Sequence, residues 1–186
     1  MGHGGDVIAE LTADHREVEG VFERIRAARP ADPERKRLVD EVTVDLVRHS
    51  VAEEEYLYPA VREHVEDGNA LADKELADHQ RVERILKDLE GLDADAPSFD
   101  GLVDRLMNEV TDHVRDEEGR LFALLRAACS QDQLQKLGDR VRQAKKLAPT
   151  RPHPSAPHTP PANKLLAPGV GLVDRARDAL ARRRSS

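Results

Sequence analysis

Histidine followed four residues later by glutamate occurs twice, in two stretches that match along their length. His49-Ser50-Val51-Ala52-Glu53-Glu54-Glu55-Tyr56-Leu57-Tyr58 returns sixty-four residues on as His113-Val114-Arg115-Asp116-Glu117-Glu118-Gly119-Arg120-Leu121-Phe122. On a helix, residues four apart stack on one face, so His49 points with Glu53 and His113 with Glu117. An imidazole nitrogen stacked on a carboxylate oxygen is half of a transition-metal site. The same shift carries Asp14-His15 onto Asp78-His79 and Leu38-Val39-Asp40 onto Leu102-Val103-Asp104. Histidine fills only 8 of 186 positions, so gapless coincidence of two histidine pairs with matching neighbours points to an internal duplication.

The elements that must position these residues follow from apolar spacing. Ile8, Leu11, His15, Val18, Phe22 and Ile25 recur three and four apart, which predicts a helix over 6–28 with one buried seam. Arg29-Pro30-Ala31-Asp32-Pro33 breaks it. A second helix over 34–64 carries Leu38, Val42, Leu46, His49, Glu53, Leu57 and Ala60 or Val61, with Pro59 expected to loosen its last turns. Asp67-Gly68-Asn69 reads as a turn. A third helix over 70–90 carries Leu76, His79, Val82, Leu86 and Leu89 and stops at Gly91. Ser98 is the expected cap of a fourth, 99–128, with Leu102, Leu106, Val110, His113, Glu117, Leu121 and Leu124. The fold class is therefore all-α: two repeated helical hairpins closing an up-down-up-down four-helix bundle. Each helix holds its histidine near mid-length and in the seam, so antiparallel packing brings all four imidazoles to one height. Glu53 and Glu117 lie one turn away.

Taken singly, a helical histidine is commonly a core or surface residue, and Glu four after His is a common local charge pair. Six such residues sharing one shift and one height are not explained that way. Burying four imidazoles and two carboxylates without counter-charge costs several kcal/mol. Iron, manganese or zinc would remove that cost. Asp14 and Asp78 could orient the imidazoles, and Glu54 and Glu118 lie about 100° around the helix, as outer or surface acids.

Composition excludes other classes. Aromatics are 3% and charged residues 35%, so the core is Leu, Val, Ile and Ala in helices. No run approaches the roughly eighteen apolar residues of a membrane span. One cysteine, Cys129, makes no intramolecular disulfide and fits a reducing compartment. With no secretory signal at Met1-Gly2-His3-Gly4-Gly5-Asp6, the protein is expected to be cytoplasmic. Residues 1–130 hold 17 Lys+Arg against 32 Asp+Glu and residues 131–186 hold 12 against 4, so an acidic body precedes a basic tail. Such a tail could dock an acidic surface or stay solvated. It lacks aromatic platforms, and no nucleic-acid partner is expected. The bundle is expected over 1–130, an additional helix over 131–148 capped by Ser130, a proline-rich linker without packed core over 149–167, and a basic C-terminal helix over 168–186.

The pattern His … His-x-x-x-Glu … His … His-x-x-x-Glu resembles the hemerythrin-like, or HHE cation-binding, family over about residues 6–128. The resemblance implies a four-helix bundle around a non-haem di-iron centre, oxo- or hydroxo-bridged, with His15, His49, Glu53, His79, His113 and Glu117 as ligands and the two glutamates bridging. Oxygen-carrying hemerythrins have a further histidine one turn after that of the third helix; here Glu83 stands there, with Glu19 as its repeat mate. Both are possible additional ligands or surface acids. Tyr58, opposite Phe122 in the repeat, is a third possible ligand; ideal helical geometry turns it off the His49 face and favours packing. The resemblance implies a protein that reacts with or binds hydrogen peroxide, dioxygen or nitric oxide under oxidative or nitrosative stress. Catalase-like peroxide decomposition is one form. The alternative is an iron- or oxygen-sensing module without turnover; a metal-free structural bundle is a third.

Overall fold

Acidic caps and proline set where the first helices begin. The computed structural model describes residues 2–155 and Asp174, and among these the regular structure is helical throughout. Helix α1 (Val7–Ala27) starts where the Asp6 carboxylate accepts from Ala9 N at 2.9 Å. Helix α2 (Pro33–Ala52) starts where Asp32 accepts from Glu34 N, with Pro33 in the first turn, where a missing N–H costs nothing. Helix α4 (Gly68–Leu89) ends ahead of Gly91, whose φ of 87° turns the chain. Helix α5 (Phe99–Asp116) follows Ser98, which occupies the cap position but makes no side-chain cap bond, contrary to expectation. Helix α7 (Gln131–Leu147) opens on a full capping box of Ser130 and Gln133.

The second and fourth rods, expected as single helices over 34–64 and 99–128, are each interrupted by one π-helical turn. Glu53–Leu57 separates α2 from α3 (Tyr58–His64), and Glu117–Leu121 separates α5 from α6 (Phe122–Ala128). Tyr58 N donates to Glu53 O and Phe122 N to Glu117 O, five residues back rather than four. Pro59 does not cause the distortion. It lies beyond the π turn, and the other copy makes the same turn with Ala123 at the proline position. Each π turn takes up one extra residue, so every side chain after it is rotated back by about 100° relative to an unbroken helix. The seam expected at Leu121 and Leu124 therefore runs through Leu121 and Leu125, leaving Leu124 38% exposed.

The core is divided. One apolar cluster joins Val18 to Ile25, Leu38 to Val47, Val82 to Leu89 and Phe99 to Val114. A second joins Val7 to Leu11, Ala52 to Val61, Leu71 to Leu76, Leu121 to Leu125 and the inner face of α7. Along α1, α2 and α4 the histidine falls between the two clusters, so a polar layer crosses the bundle between two greasy ends. Helix α7 is part of this body. Gly138 lies against the backbone of Gly5, Asp6 and Val7, and Gln135 Nε2 and Arg142 Nη1 both donate to Gly5 O at 2.9 Å.

The start of the proline-rich stretch is packed, not free. Thr150 is buried, Arg151 Nη1 donates to Glu90 Oε1 at 2.9 Å, and His153 N donates to Glu83 Oε1 at 2.8 Å. Buried Asp174 accepts from Thr150 N and Arg151 N at 3.2 Å each. Acids on α4 and Asp174 thus tie down backbone that composition alone left loose. Residues 156–167 of the expected linker and the expected basic helix, Asp174 apart, lie outside the described residues.

Gly68 tests the packing. A Cβ there would sit 2.1 Å from Val61 O, on backbone that cannot swing away. Gly68→Ala is expected to destabilise the fold by about 2 kcal/mol or more, read as a lowered midpoint of denaturant unfolding.

Candidate metal centre

Four imidazoles turn their Nε2 atoms into one enclosed space. His15 Nε2 and His49 Nε2 are 3.3 Å apart, two ring nitrogens facing each other. Glu53 lies between the halves of the repeat: its Oε1 is 3.0 Å from His49 Nε2 and its Oε2 is 3.2 Å from His79 Nε2. Glu117 Oε2 stands 3.4 Å from His15 Nε2 and 3.9 Å from His113 Nε2. Donor atoms of His15, His49, Glu53 and Glu117 fall within 4.8 Å of one another, and so do those of Glu53, His79 and His113. The two groups share Glu53. All six expected residues therefore converge.

The layer is short of positive charge. Glu53 and Glu117 are fully buried, and Glu53 Oε1, both Glu117 oxygens and both nitrogens of His113 make no hydrogen bond of good geometry, close though the imidazoles and carboxylates stand. Burial opposes charge on His49, but Glu53 and Asp14 outweigh it and hold the imidazole well above the usual histidine range. Burial is likewise overcome at His79, which Glu53 and Glu54 push up to about 10. Glu53, against its burial, is held well below the usual carboxylate range by the imidazoles beside it, whereas burial and the Glu53 charge raise Glu117. A metal ion among these donors would supply the positive charge they call for and displace any proton on the imidazoles.

Tyr58 enters the same space. Its hydroxyl is 2.9 Å from His79 Nε2 and donates to Glu53 Oε2 at 3.4 Å. Burial and the surrounding carboxylates push the phenol well above its ordinary range. The expectation that favoured packing over ligation for Tyr58 assumed an unbroken helix; the π turn rotates it inward. Its mate Phe122 turns inward too and stacks on His15 at 6.0 Å between ring centroids.

Acids bond the outer nitrogens of His15, His49 and His79 and stand near that of His113, in a pattern that follows the repeat and then departs from it. His15 Nδ1 meets Glu118 Oε1 at 2.7 Å, and His79 Nδ1 meets Glu54 Oε1 at 3.1 Å, one sixty-four-residue pair matched by another. The second glutamate of each Glu-Glu thus orients an imidazole. His49 Nδ1 meets Asp14 Oδ2 at 3.1 Å. By repeat His113 should meet Asp78, but that acid is 3.9 Å away and Glu75 Oε2 is nearer at 2.9 Å. Glu75 occupies the place of Leu11 in the first copy and is nearly as buried, a break in the repeat that was visible in the sequence. Two lysines neutralise these acids. Lys74 Nζ lies 3.0 Å from Asp78 Oδ2, and Lys145 Nζ lies 2.6 and 2.8 Å from the two oxygens of Asp14.

Other sequence candidates lie elsewhere. Glu19 is exposed and paired with Arg16 at 2.6 Å, and Glu83 is taken up by the His153 backbone, so neither joins the donor groups. His64 is remote. Cys129 sits half-buried just past α6, where burial raises its thiol. His3, expected to lie in a loose segment, has its Nε2 3.2 Å from Asp14 Oδ1.

The Hemerythrin HHE cation binding domain matches residues 6–125. The chain belongs to the hemerythrin HHE cation-binding family. That family binds metal cations, typically iron, and the His/Glu groups of this bundle fit such a role. An uncharacterized hemerythrin-like protein of Schizosaccharomyces pombe is 29% identical over 168 residues, covering 90% of this chain and 82% of its own. A DNA nickase of Nostoc is 34% identical over 137 residues, but the chain spans only 38% of that protein. The crystal structure of a hemerythrin HHE cation binding domain-containing protein from Mycobacterium kansasii shares the fold, with a TM-score of 0.65 at 21% identity over 76% of this chain and 88% of that one. No helix among the described residues is long and apolar enough to cross a membrane.

Replacing Glu117 separates the two demands of this HHE layer. Glu117→Gln removes one of two facing buried anions, so the metal-free protein should melt no lower than wild type. Adding iron should raise the melting temperature of the wild type by several degrees and that of the variant much less.

Proposed function

We propose that this chain is a non-haem di-iron protein whose centre decomposes hydrogen peroxide. His15, His49 and Glu117 would hold one iron, His79, His113 and the Tyr58 hydroxyl the other, and Glu53 would serve both. The observation that carries the reading is Glu53 itself, a buried carboxylate with one oxygen on His49 and the other on His79. When bound, the iron pair supplies Lewis acidity and a reservoir of two electrons.

Tyr58 favours peroxide over reversible dioxygen carriage. A phenolate is a hard anionic donor that stabilises ferric over ferrous iron, whereas carriage needs the ferrous state. Size narrows the substrate further. Val18, Leu46, Val82, Val110 and Val114 wall the space beside the four histidines, leaving about 20 Å³ for the centre of a water-sized molecule. A space of that size suits a ligand as small as peroxide, dioxygen or nitric oxide. These apolar side chains would limit bulk water beside the centre. The net reaction, two hydrogen peroxide to two water and one dioxygen, needs no outside electron donor.

The full-length protein reconstituted with ferrous iron in air should hold about two irons per chain and evolve dioxygen from hydrogen peroxide. Iron uptake with a stable peroxide, dioxygen or nitric oxide adduct and no oxygen release would replace this reading with a carrier or sensor. Tyr58→Phe, which keeps the packing its mate Phe122 shows is tolerated, should lose any phenolate-to-iron visible absorption. Its turnover should fall on the order of tenfold or more.

A further inference from the structure

The domain matched by the family ends at residue 125, yet one residue beyond it reaches the acid that holds a metal-site histidine. Lys145, on α7, has its side chain 11% exposed. Its ammonium contacts Glu10 Oε1 at 2.6 Å and both oxygens of Asp14. Asp14 Oδ2 is in turn 3.1 Å from His49 Nδ1. Three groups on three helices are thus joined in series, from α7 through α1 to α2.

The linkage is electrostatic as well as steric. A carboxylate on the outer nitrogen of a ligating imidazole fixes the ring's orientation and tautomer and raises the basicity of the inner nitrogen. An ammonium on that carboxylate takes back a little of that basicity but fixes the carboxylate against the ring, and the loss of that fixed orientation is the larger effect when the ammonium is removed. The two halves of the centre differ in where this cation comes from. On the His113 side Lys74 stands within α4, adjacent in sequence to Glu75, and so belongs to the bundle itself. On the His49 side His3 Nε2 also lies 3.2 Å from Asp14 Oδ1, but the lysine comes from α7, seated with Gly138 against Gly5 and Asp6 and Arg142 on Gly5 O. The Schizosaccharomyces pombe relative matches over 90% of this chain, and that span takes in α7 as well as the bundle.

We propose that Lys145 is a positioning residue for His49, acting through Asp14, so that the seating of α7 sets the metal affinity of one half of the centre and leaves the other half unaffected. The inference rests on the metal-centre reading and adds a control element outside the matched domain. It makes the two metal positions inequivalent despite the duplicated sequence.

Cobalt(II), added to the full-length metal-free protein and followed by its visible absorption, tests this. Wild type should show two binding steps. Lys145→Met should weaken one step on the order of tenfold or more, with a changed spectrum for that step, and leave the second step intact. Lys145→Arg, which keeps the cation, should recover most of the lost affinity. Should Lys145→Met fail to fold, Glu10→Gln combined with Lys145→Met removes a buried anion with its counter-charge, and the same one-step loss is expected. A folded Lys145→Met or double variant with both steps and both spectra as in wild type overturns the proposal and leaves Lys145 a clamp for α7 alone. Equal weakening of both steps also overturns it, because α7 would then be a general support. Wild type that takes up no cobalt sinks the metal-centre reading itself.

Discussion

The structure depends on a polar layer that cannot satisfy itself. Four imidazoles and two carboxylates are enclosed between two apolar clusters, and several of their nitrogen and oxygen atoms make no hydrogen bond of good geometry. Bundles of this kind are normally held by continuous apolar seams. Here each seam is broken at mid-length by groups whose burial costs free energy unless a cation compensates. The rest of the molecule tolerates that cost. Val, Leu and Ile on either side supply the packing, and a ring of outer acids fixes the imidazoles so that their inner nitrogens stay aimed at one another.

The repeated π turns follow from the same constraint. An α-helix aligns His49 with Glu53 but turns away the residue nine positions after the histidine. One extra residue per turn brings Tyr58 and Phe122 inward while leaving the His-x-x-x-Glu spacing undisturbed. The duplication then provides two near-identical half-layers, and single substitutions make them differ: phenol against phenyl at 58 and 122, leucine against glutamate at 11 and 75. One half therefore gains a hydroxyl and an additional acid. The other gains a lysine from α7. A duplicated sequence thus yields two unlike positions facing a shared carboxylate.

Much of this was legible before any coordinates. Spacing alone located the helices, the duplication and the six converging residues, because period and repeat are properties of the chain itself. Tyr58 was misjudged because helical arithmetic assumes four residues per hydrogen bond, and nothing in Glu53-Glu54-Glu55 announces a five-residue turn. Glu54 and Glu118 were placed on the outer side, and their contact with His79 and His15 depends on which helices become neighbours. Lys145 was out of reach for the same reason: it lies 131 residues from Asp14, and only the docking of α7 brings them together. Glu75 could have been found, since it is where the repeat exchanges an apolar residue for an acid. The packed start of the proline-rich stretch illustrates the converse, a composition that suggests loose chain held by Glu83, Glu90 and Asp174.

The most direct test of the central claim is anomalous diffraction at the iron absorption edge from crystals of the iron-loaded full-length protein. Two anomalous peaks within the histidine layer, one on each side of Glu53, are the predicted result. Iron-loaded crystals with no peak in that layer, or with iron only at surface acids, would contradict the account.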